Sequence, residues 1–201
     1  MAGQFRPIAQ VSAIWFAWAR SLALAVAWLV LCSAPVRAAD PAVQFMEKVA
    51  HELLAATRSK SPALVAAVIH RYGDTGHIGS YSLGNYRTKL KPEDRPGYLS
   101  GMVRFIGRYA ATEGPKYPVA SYKITGSQQG GQGLMVDSVI TLRDGSNYDV
   151  RWLLTKQGAT YRVRDAMVYG FWMTPFLKKL FENDIGENGG NVTALVIALN
   201  R

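Results

Sequence analysis

Apolar and polar residues alternate most regularly in the second half of the chain. Leu134, Val136, Ile140 and Leu142 fall on one face at period two, and Asp144-Gly145 follows them as a tight turn. The alternation recurs over residues 148–154 and 161–169, and residues 118–126 fit another strand upstream. We therefore predict four antiparallel strands. One side of the last strand is predicted to carry Tyr161, Val163, Met167 and Tyr169.

Helical periodicity lies before and after these strands. The predicted helices cover residues 41–58, 62–72, 78–87, 92–113, 174–186 and a last segment that begins after Asn191. Ser61-Pro62 and Thr174-Pro175 have the residues that begin helices, and Gly73 ends the second helix. The pattern indicates an α+β fold, in which helices cover one face of a four-stranded antiparallel sheet.

The first 38 residues have the features of a secretory signal peptide. Arg6 and Arg20 precede an apolar run over residues 21–34, and Val36-Arg37-Ala38 offers a cleavage site. The alternative is an uncleaved membrane anchor. After cleavage, residues 39–201 are expected to form a single exported domain, and because Cys32 is the only cysteine, that domain has no disulfide.

Charge and composition favour anionic partners. Without the three arginines of the signal segment, 20 basic and 14 acidic side chains remain, which is a net charge of +6. Such a balance favours lipid headgroups or acidic partners. Export of the chain and its scattered basic residues argue against nucleic acid.

No catalytic, metal or nucleotide motif is evident. His70, Asp74 and His77 would share one face of a helix, but Gly73 and Gly76 interrupt that helix, so we predict no metal site. The glycine-rich residues 126–133 lack the Lys-Ser/Thr of a phosphate loop. We accordingly predict no cofactor.

Asp165 is the one residue that fits its surroundings badly. Period two would place its carboxylate beside the apolar side chains of the last strand, where an unpaired charge is costly. The explanation is a hydrogen bond or ion pair, for example with Arg151, or a bulge that turns the side chain outward. The alternative is a general base or a polar group at the mouth of a pocket.

Two motifs resemble the MlaC/Ttg2D family of periplasmic phospholipid-binding proteins. Tyr161, Val163 and Asp165, followed by Val168-x-Gly170-Phe171, are similar to the family's strand and turn, with Trp172 where the family usually has Ser. Residues 81–87 resemble the family's Leu-Gly-x-Tyr element. The resemblance implies a curved sheet, similar to the nuclear-transport-factor-2-like cone, whose helices close an apolar cavity.

For the lipid cavity that the resemblance implies, we predict which residues form the apolar wall and which lie at the mouth. We expect the acyl chains to contact Tyr81, Leu83, Phe105, Ile106, Tyr109, Val136, Ile140, Val150, Trp152, Leu154, Met167, Phe171 and Trp172. For each of these residues, packing in the protein core is the alternative. The headgroup would meet Arg87, Arg143 or Arg151.

The family resemblance also implies partners. A monomeric carrier would move phospholipid between the inner and outer membranes, exchanging it with an inner-membrane ABC transporter complex (MlaFEDB-like) and an outer-membrane lipoprotein-porin assembly (MlaA-like). A carrier of hopanoids or of another lipid class is one competing hypothesis. An isomerase or dehydratase that uses Asp165 on the same fold is a second, and an adaptor without a ligand is a third.

Overall fold

The computed structural model of the protein describes residues 40–201. The predicted signal peptide and Cys32 lie outside the described residues. Within residues 40–201, no helix is both long enough and apolar enough to cross a membrane.

Local sequence signals set the bounds of most helices. The helices are α1 (Pro41–Arg58), α2 (Pro62–Tyr72), α3 (Thr75–Ser82), α4 (Arg95–Glu113), α5 (Met173–Glu187) and α6 (Val192–Leu199). Short 3₁₀ segments cover Gly84–Lys89, Pro92–Asp94 and Gly114–Lys116. The side chains of Ser61 and Asn191 accept hydrogen bonds from the first turns of α2 and α6, as predicted, and α2 ends at Gly73.

The helix predicted over residues 78–87 is wrong in its bounds. The Asp74 side chain accepts a hydrogen bond from the main-chain N–H of His77, so α3 begins earlier, at Thr75. It ends at Ser82, because Gly84 turns the chain with a φ of +49° and the next segment winds as a 3₁₀ helix.

The sheet is an open antiparallel meander of five strands, one more than predicted. The strands are β1 (Val119–Gly130), β2 (Gly133–Leu142), β3 (Asn147–Gln157), β4 (Thr160–Val168) and β5 (Phe171–Trp172), hydrogen-bonded in sequence order. Strand β5 has two residues, too few to show a period. The tight turn before it has positive φ at both Tyr169 and Gly170, 54° and 79°.

A bulge in β4 divides the residues that the sequence placed on one side. Leu154 pairs with Val163 and Leu153 pairs with Asp165, so one extra residue stands between two successive partners. Directly opposed residues share a face, so Val163 and Asp165 lie on opposite faces. The predicted common side is therefore wrong for Met167, which pairs with Arg151, and for Tyr169, which lies in the turn.

The two faces of the sheet differ in polarity. The inner face carries Val136, Trp152 and Leu154, and the outer face carries Asp137, Arg151 and Met167. The inner face packs against α1 and α2 in a sheet core, whose buried residues are Ala42, Met46, Val49, Ala56, Val65, Val68, Tyr72, Ile124, Val136 and Leu154.

A second core lies among the helices. This helical core joins α4, α5 and α6, and its buried residues are Leu83, Tyr98, Met102, Val103, Leu177, Phe181, Ile185, Val192, Leu195, Val196 and Leu199. Half-buried Ile69 of α2 packs against both cores. Helix α2, which packs closely against α4, therefore connects the two cores.

Candidate functional site

The helical part of the predicted wall centres on Phe105. Leu83, Phe105 and Ile106 all belong to the helical core or pack against it. The Phe105 ring lies 5.8 Å from Phe181 in a T-shaped contact and is stacked 6.5 Å from Tyr109. Tyr109 is 51% exposed, so this aromatic row runs from the core to the surface.

The sheet part of the predicted wall centres on Trp152. Buried Val136 and Leu154 belong to the sheet core, and half-buried Trp152 packs against them. The indole Nε1 donates to Ser138 Oγ at 2.9 Å, and that hydroxyl donates to the carbonyl of Val150 at 3.1 Å. The indole N–H and the Ser138 hydroxyl therefore both have hydrogen-bond partners. The rest of the Trp152 ring is apolar surface.

The remaining wall residues lie in other places. Ile140 and buried Val150 are on the inner face, whereas Met167 and its partner Trp172 are on the outer face. Phe171 is 71% exposed, and Tyr81, also exposed, lies beside His77. The fold thus places the predicted wall in two groups, at the helical core and on the inner face, with an outlying set near β5 and on α3.

Helix α5 has an exposed apolar face beside its buried stripe. Phe176 and Leu180 look like members of the buried stripe, but that stripe passes through Thr174, Leu177, Phe181 and Ile185. Met173, Phe176 and Leu180 follow one another at helical spacing beside it and are 38%, 51% and 39% exposed. Both stripes are apolar, so only tertiary packing distinguishes them.

The three predicted headgroup residues differ in their surroundings and in whether they already pair with a carboxylate. Arg151 forms an ion pair with Asp137 at 2.6 Å, and this hydrogen bond raises the pKa of its guanidinium. The pair borders a cavity of about 460 Å³, together with Asp149 and Met167 of the outer face. Arg143 is exposed next to the β2–β3 turn.

Arg87 lines a different cavity, of about 300 Å³, at the start of α4. Lys91 and Arg95 line the same cavity, and Leu83 of the predicted wall contributes to it. Lys91 was not among the sequence-predicted site residues, and neither was Arg95. In the sequence, the spacing of four residues between the three cations was the sign that they could belong to one site. That spacing places side chains on one surface only where the chain between them is helical.

The carboxylate of Asp165 supports the main chain. Its Oδ1 accepts hydrogen bonds from the N–H groups of Ala166 at 2.8 Å and Thr174 at 2.9 Å. It thereby ties the end of β4 to the first turn of α5. The predicted irregularity at this residue is confirmed, and its partners are main-chain groups, whereas Arg151 is paired elsewhere.

Asp74, one of the three residues with metal-ligand spacing, also has structural partners. Its carboxylate caps α3 and lies 3.1 Å from Arg164 Nη2. Across residues 40–201, no group of three His, Cys, Asp or Glu side chains is placed to hold a metal ion.

Contacts with α5 explain the leucine and the glycine of the Leu-Gly-x-Tyr element. Leu83 is buried, Gly84 has a φ of +49°, and the N–H of Asn85 donates to Glu182 Oε1 at 2.9 Å. A Cβ at residue 84 would collide with the Glu182 carboxylate. The positive φ favours glycine, and a side chain at this position would displace the Glu182 carboxylate, which accepts the hydrogen bond from Asn85.

These features define an α+β protein with an open antiparallel meander, one apolar sheet face and an adjoining helical core. The family model described as MlaC protein matches residues 42–201, and the chain belongs to the MlaC family. None of the curated proteins matches it.

A solved structure has a similar fold. It is a phospholipid-binding protein from Ralstonia solanacearum in complex with a phospholipid, and it aligns with a TM-score of 0.62 and 16% identity. The alignment covers 80% of this chain and 96% of the other.

Proposed function

We propose that this protein is a periplasmic phospholipid-binding carrier. The observation that supports the proposal most strongly is membership of the MlaC family over residues 42–201. The similar fold of a protein solved with a phospholipid adds support. We propose binding and not catalysis, because the Asp165 carboxylate is engaged by two main-chain N–H groups.

The energetics of lipid burial set what the carrier must provide. About thirty methylenes of a diacyl lipid, at ~0.8 kcal/mol each, cost on the order of 20 kcal/mol to expose to water. A continuous apolar wall is needed. We propose that it combines the aromatic row at Phe105 and Tyr109 with the inner face at Trp152, where apolar side chains remain half-buried or exposed.

The proposed transport pathway has two membrane partners. The carrier would exchange lipid with an inner-membrane ABC transporter complex and an outer-membrane lipoprotein-porin assembly. The chain has no nucleotide motif of its own, so a partner or an affinity gradient must drive the transfer.

Lipid analysis of the mature protein tests the proposal. We expect protein purified from the envelope under mild conditions to carry about one phospholipid per chain, measured by extraction and mass spectrometry. A hopanoid or another lipid in that amount would keep the carrier and change its cargo. Protein that is folded, lipid-free and unable to take up phospholipid from vesicles would contradict the proposal.

A pair of tryptophan variants tests the location of the wall. Ile106→Trp adds bulk at a half-buried position on α4 and is expected to lower lipid occupancy severalfold. Met167→Trp adds a comparable bulk at a half-buried position on the outer face and should leave occupancy unchanged. Thermal unfolding confirms that both variants fold. Equal loss of lipid in both, or none in either, would reject the proposed location of the wall at α4.

A further inference from the structure

The cavity at the start of α4 has an apolar floor and a basic rim. We name it the basic pocket. Its floor includes Leu83, Tyr98 and Leu99, of which the first two are about 1% exposed. Exposed Arg87, Lys91 and Arg95 form its rim. A volume of about 300 Å³ is at the lower limit of small-molecule sites.

The three rim cations have no partner within the described chain. Across residues 40–201, Arg87, Lys91 and Arg95 take part in none of the ion pairs or side-chain hydrogen bonds. Arg71, Arg151 and Arg164, by contrast, each pair with a carboxylate. The rim cations therefore have all of their donors available to a ligand.

No acidic side chain neutralises the basic pocket from within. None of the residues that line it is Asp or Glu. Of the neighbouring acids, Asp94 accepts a hydrogen bond from Thr193, and Glu93 is exposed to solvent. Lys89 adds positive charge nearby, with its ammonium 5.2 Å from the centre of the Tyr86 ring. The field in the pocket is therefore positive.

We propose that the basic pocket is a binding site for a phosphate ester, held by Arg87, Lys91 and Arg95 above the apolar floor. Guanidinium and ammonium groups are the donors that phosphate prefers, and a glyceryl group or the start of an acyl chain suits the apolar floor. The phosphate belongs either to a glycerophospholipid headgroup or to a soluble phosphate ester. The lipid assignment rests on the proposed function, whereas the site itself does not.

Titration with sn-glycerol 3-phosphate tests the site directly. The full mature chain is titrated by nuclear magnetic resonance, and saturable shifts are expected at residues 87–99. The triple variant Arg87→Gln, Lys91→Gln, Arg95→Gln is expected to bind about 100-fold more weakly, at roughly fivefold for each cation removed. The control Lys60→Gln, Lys123→Gln, Lys156→Gln removes three exposed cations elsewhere and should change affinity less than threefold.

Two further measurements identify the source of the phosphate. Sedimentation with vesicles of phosphatidylcholine containing phosphatidylglycerol should capture the wild-type chain and the control, but not the pocket variant, if the phosphate is that of a bilayer lipid. A fall in co-purified phospholipid in the pocket variant alone would assign the phosphate to the carried lipid. If glycerol phosphate binds and neither lipid measurement changes, the ligand is a soluble ester.

The possible failures are distinguishable. Equal weakening by the pocket and control variants, or no saturable binding to the wild-type chain, would overturn the site. A chain that binds glycerol phosphate but contains and takes up no phospholipid would keep the site and overturn the proposed function.

Discussion

Substitution of Asp165 should destabilise the fold without abolishing lipid binding. The Asp165 carboxylate joins β4 to α5 through two main-chain N–H groups. Asp165→Ala leaves both donors without this acceptor, at the point where the sheet meets the helical core. Asp165→Asn keeps an acceptor oxygen and loses the charge.

The magnitude follows from the number and kind of hydrogen bonds lost. A hydrogen bond to a charged group contributes about 1.5–3 kcal/mol, and Asp165 is half-buried, so values near the lower end apply. Asp165→Ala should therefore cost about 3 kcal/mol and Asp165→Asn about 1 kcal/mol. For a domain of this size, the larger loss lowers the midpoint of thermal unfolding by roughly 6–12 °C.

Urea unfolding of both variants measures these free energies. The slope of the free energy against urea concentration should not change, since the two variants expose the same surface on unfolding. Phospholipid occupancy below the unfolding temperature should match the wild-type chain. Equal losses for Ala and Asn, or a loss below about 0.5 kcal/mol for Ala, would refute a structural role for the carboxylate.

Three other substitutions, with Gly145→Ala as a control in the β2–β3 turn, test the packing around α5. Gly84→Ala should cost about 2 kcal/mol in urea unfolding, because the added methyl group displaces the Glu182 carboxylate from the N–H of Asn85 and the positive φ is strained for alanine. Gly145→Ala, with positive φ and open space, should cost only about 1 kcal/mol. The hydrogen bond from Lys178 holds the pKa of Glu182 below its usual 4.5, so the ion pair stabilises the fold above that pH and less as pH falls. The stability lost in Glu182→Gln should accordingly be measurable at pH 7 and disappear below about pH 4, and a pH-independent difference would contradict this. Tyr98→Phe removes a buried hydroxyl that donates at 2.9 Å to a main-chain carbonyl and should cost about 1 kcal/mol in urea unfolding, so an unchanged free energy of unfolding would contradict a stabilising role for this bond.

Elements defined by local sequence were predictable, and elements defined by tertiary contacts were not. The caps at Ser61 and Asn191 and the period-two strands depend on neighbours in sequence. Strand β5 exists because Tyr169 and Gly170 both adopt positive φ, which the sequence permits but does not demand. The bulge that reverses Met167 depends on the register between β3 and β4, which no single strand reveals.

The spatial arrangement of the predicted site residues depends on tertiary contacts that the sequence does not reveal. The sequence put aromatic residues that lie on α4 and on the inner face into the predicted wall, but it could not show that α2 connects two separate cores. Nor could it distinguish the buried from the exposed stripe of α5, because Leu177 and Leu180 differ only in what packs against them. Arg87 was identified without Lys91 and Arg95, since a shared cavity is a property of the folded chain.

The proposed apolar wall and the basic pocket would contribute to different steps of lipid exchange. A barrier of about 20 kcal/mol corresponds to roughly one event per minute at 25 °C, so release of a lipid through water would be slow. Electrostatic attraction does not lower that barrier, because the cost comes from exposing the acyl chains to water. Apolar contact with a membrane or a partner does lower it, because the acyl chains then avoid water. Cations at a surface act instead on the rate of encounter. If the phosphate is that of a bilayer lipid, pocket variants should slow transfer in low salt without changing occupancy, whereas wall variants should change occupancy at any salt concentration.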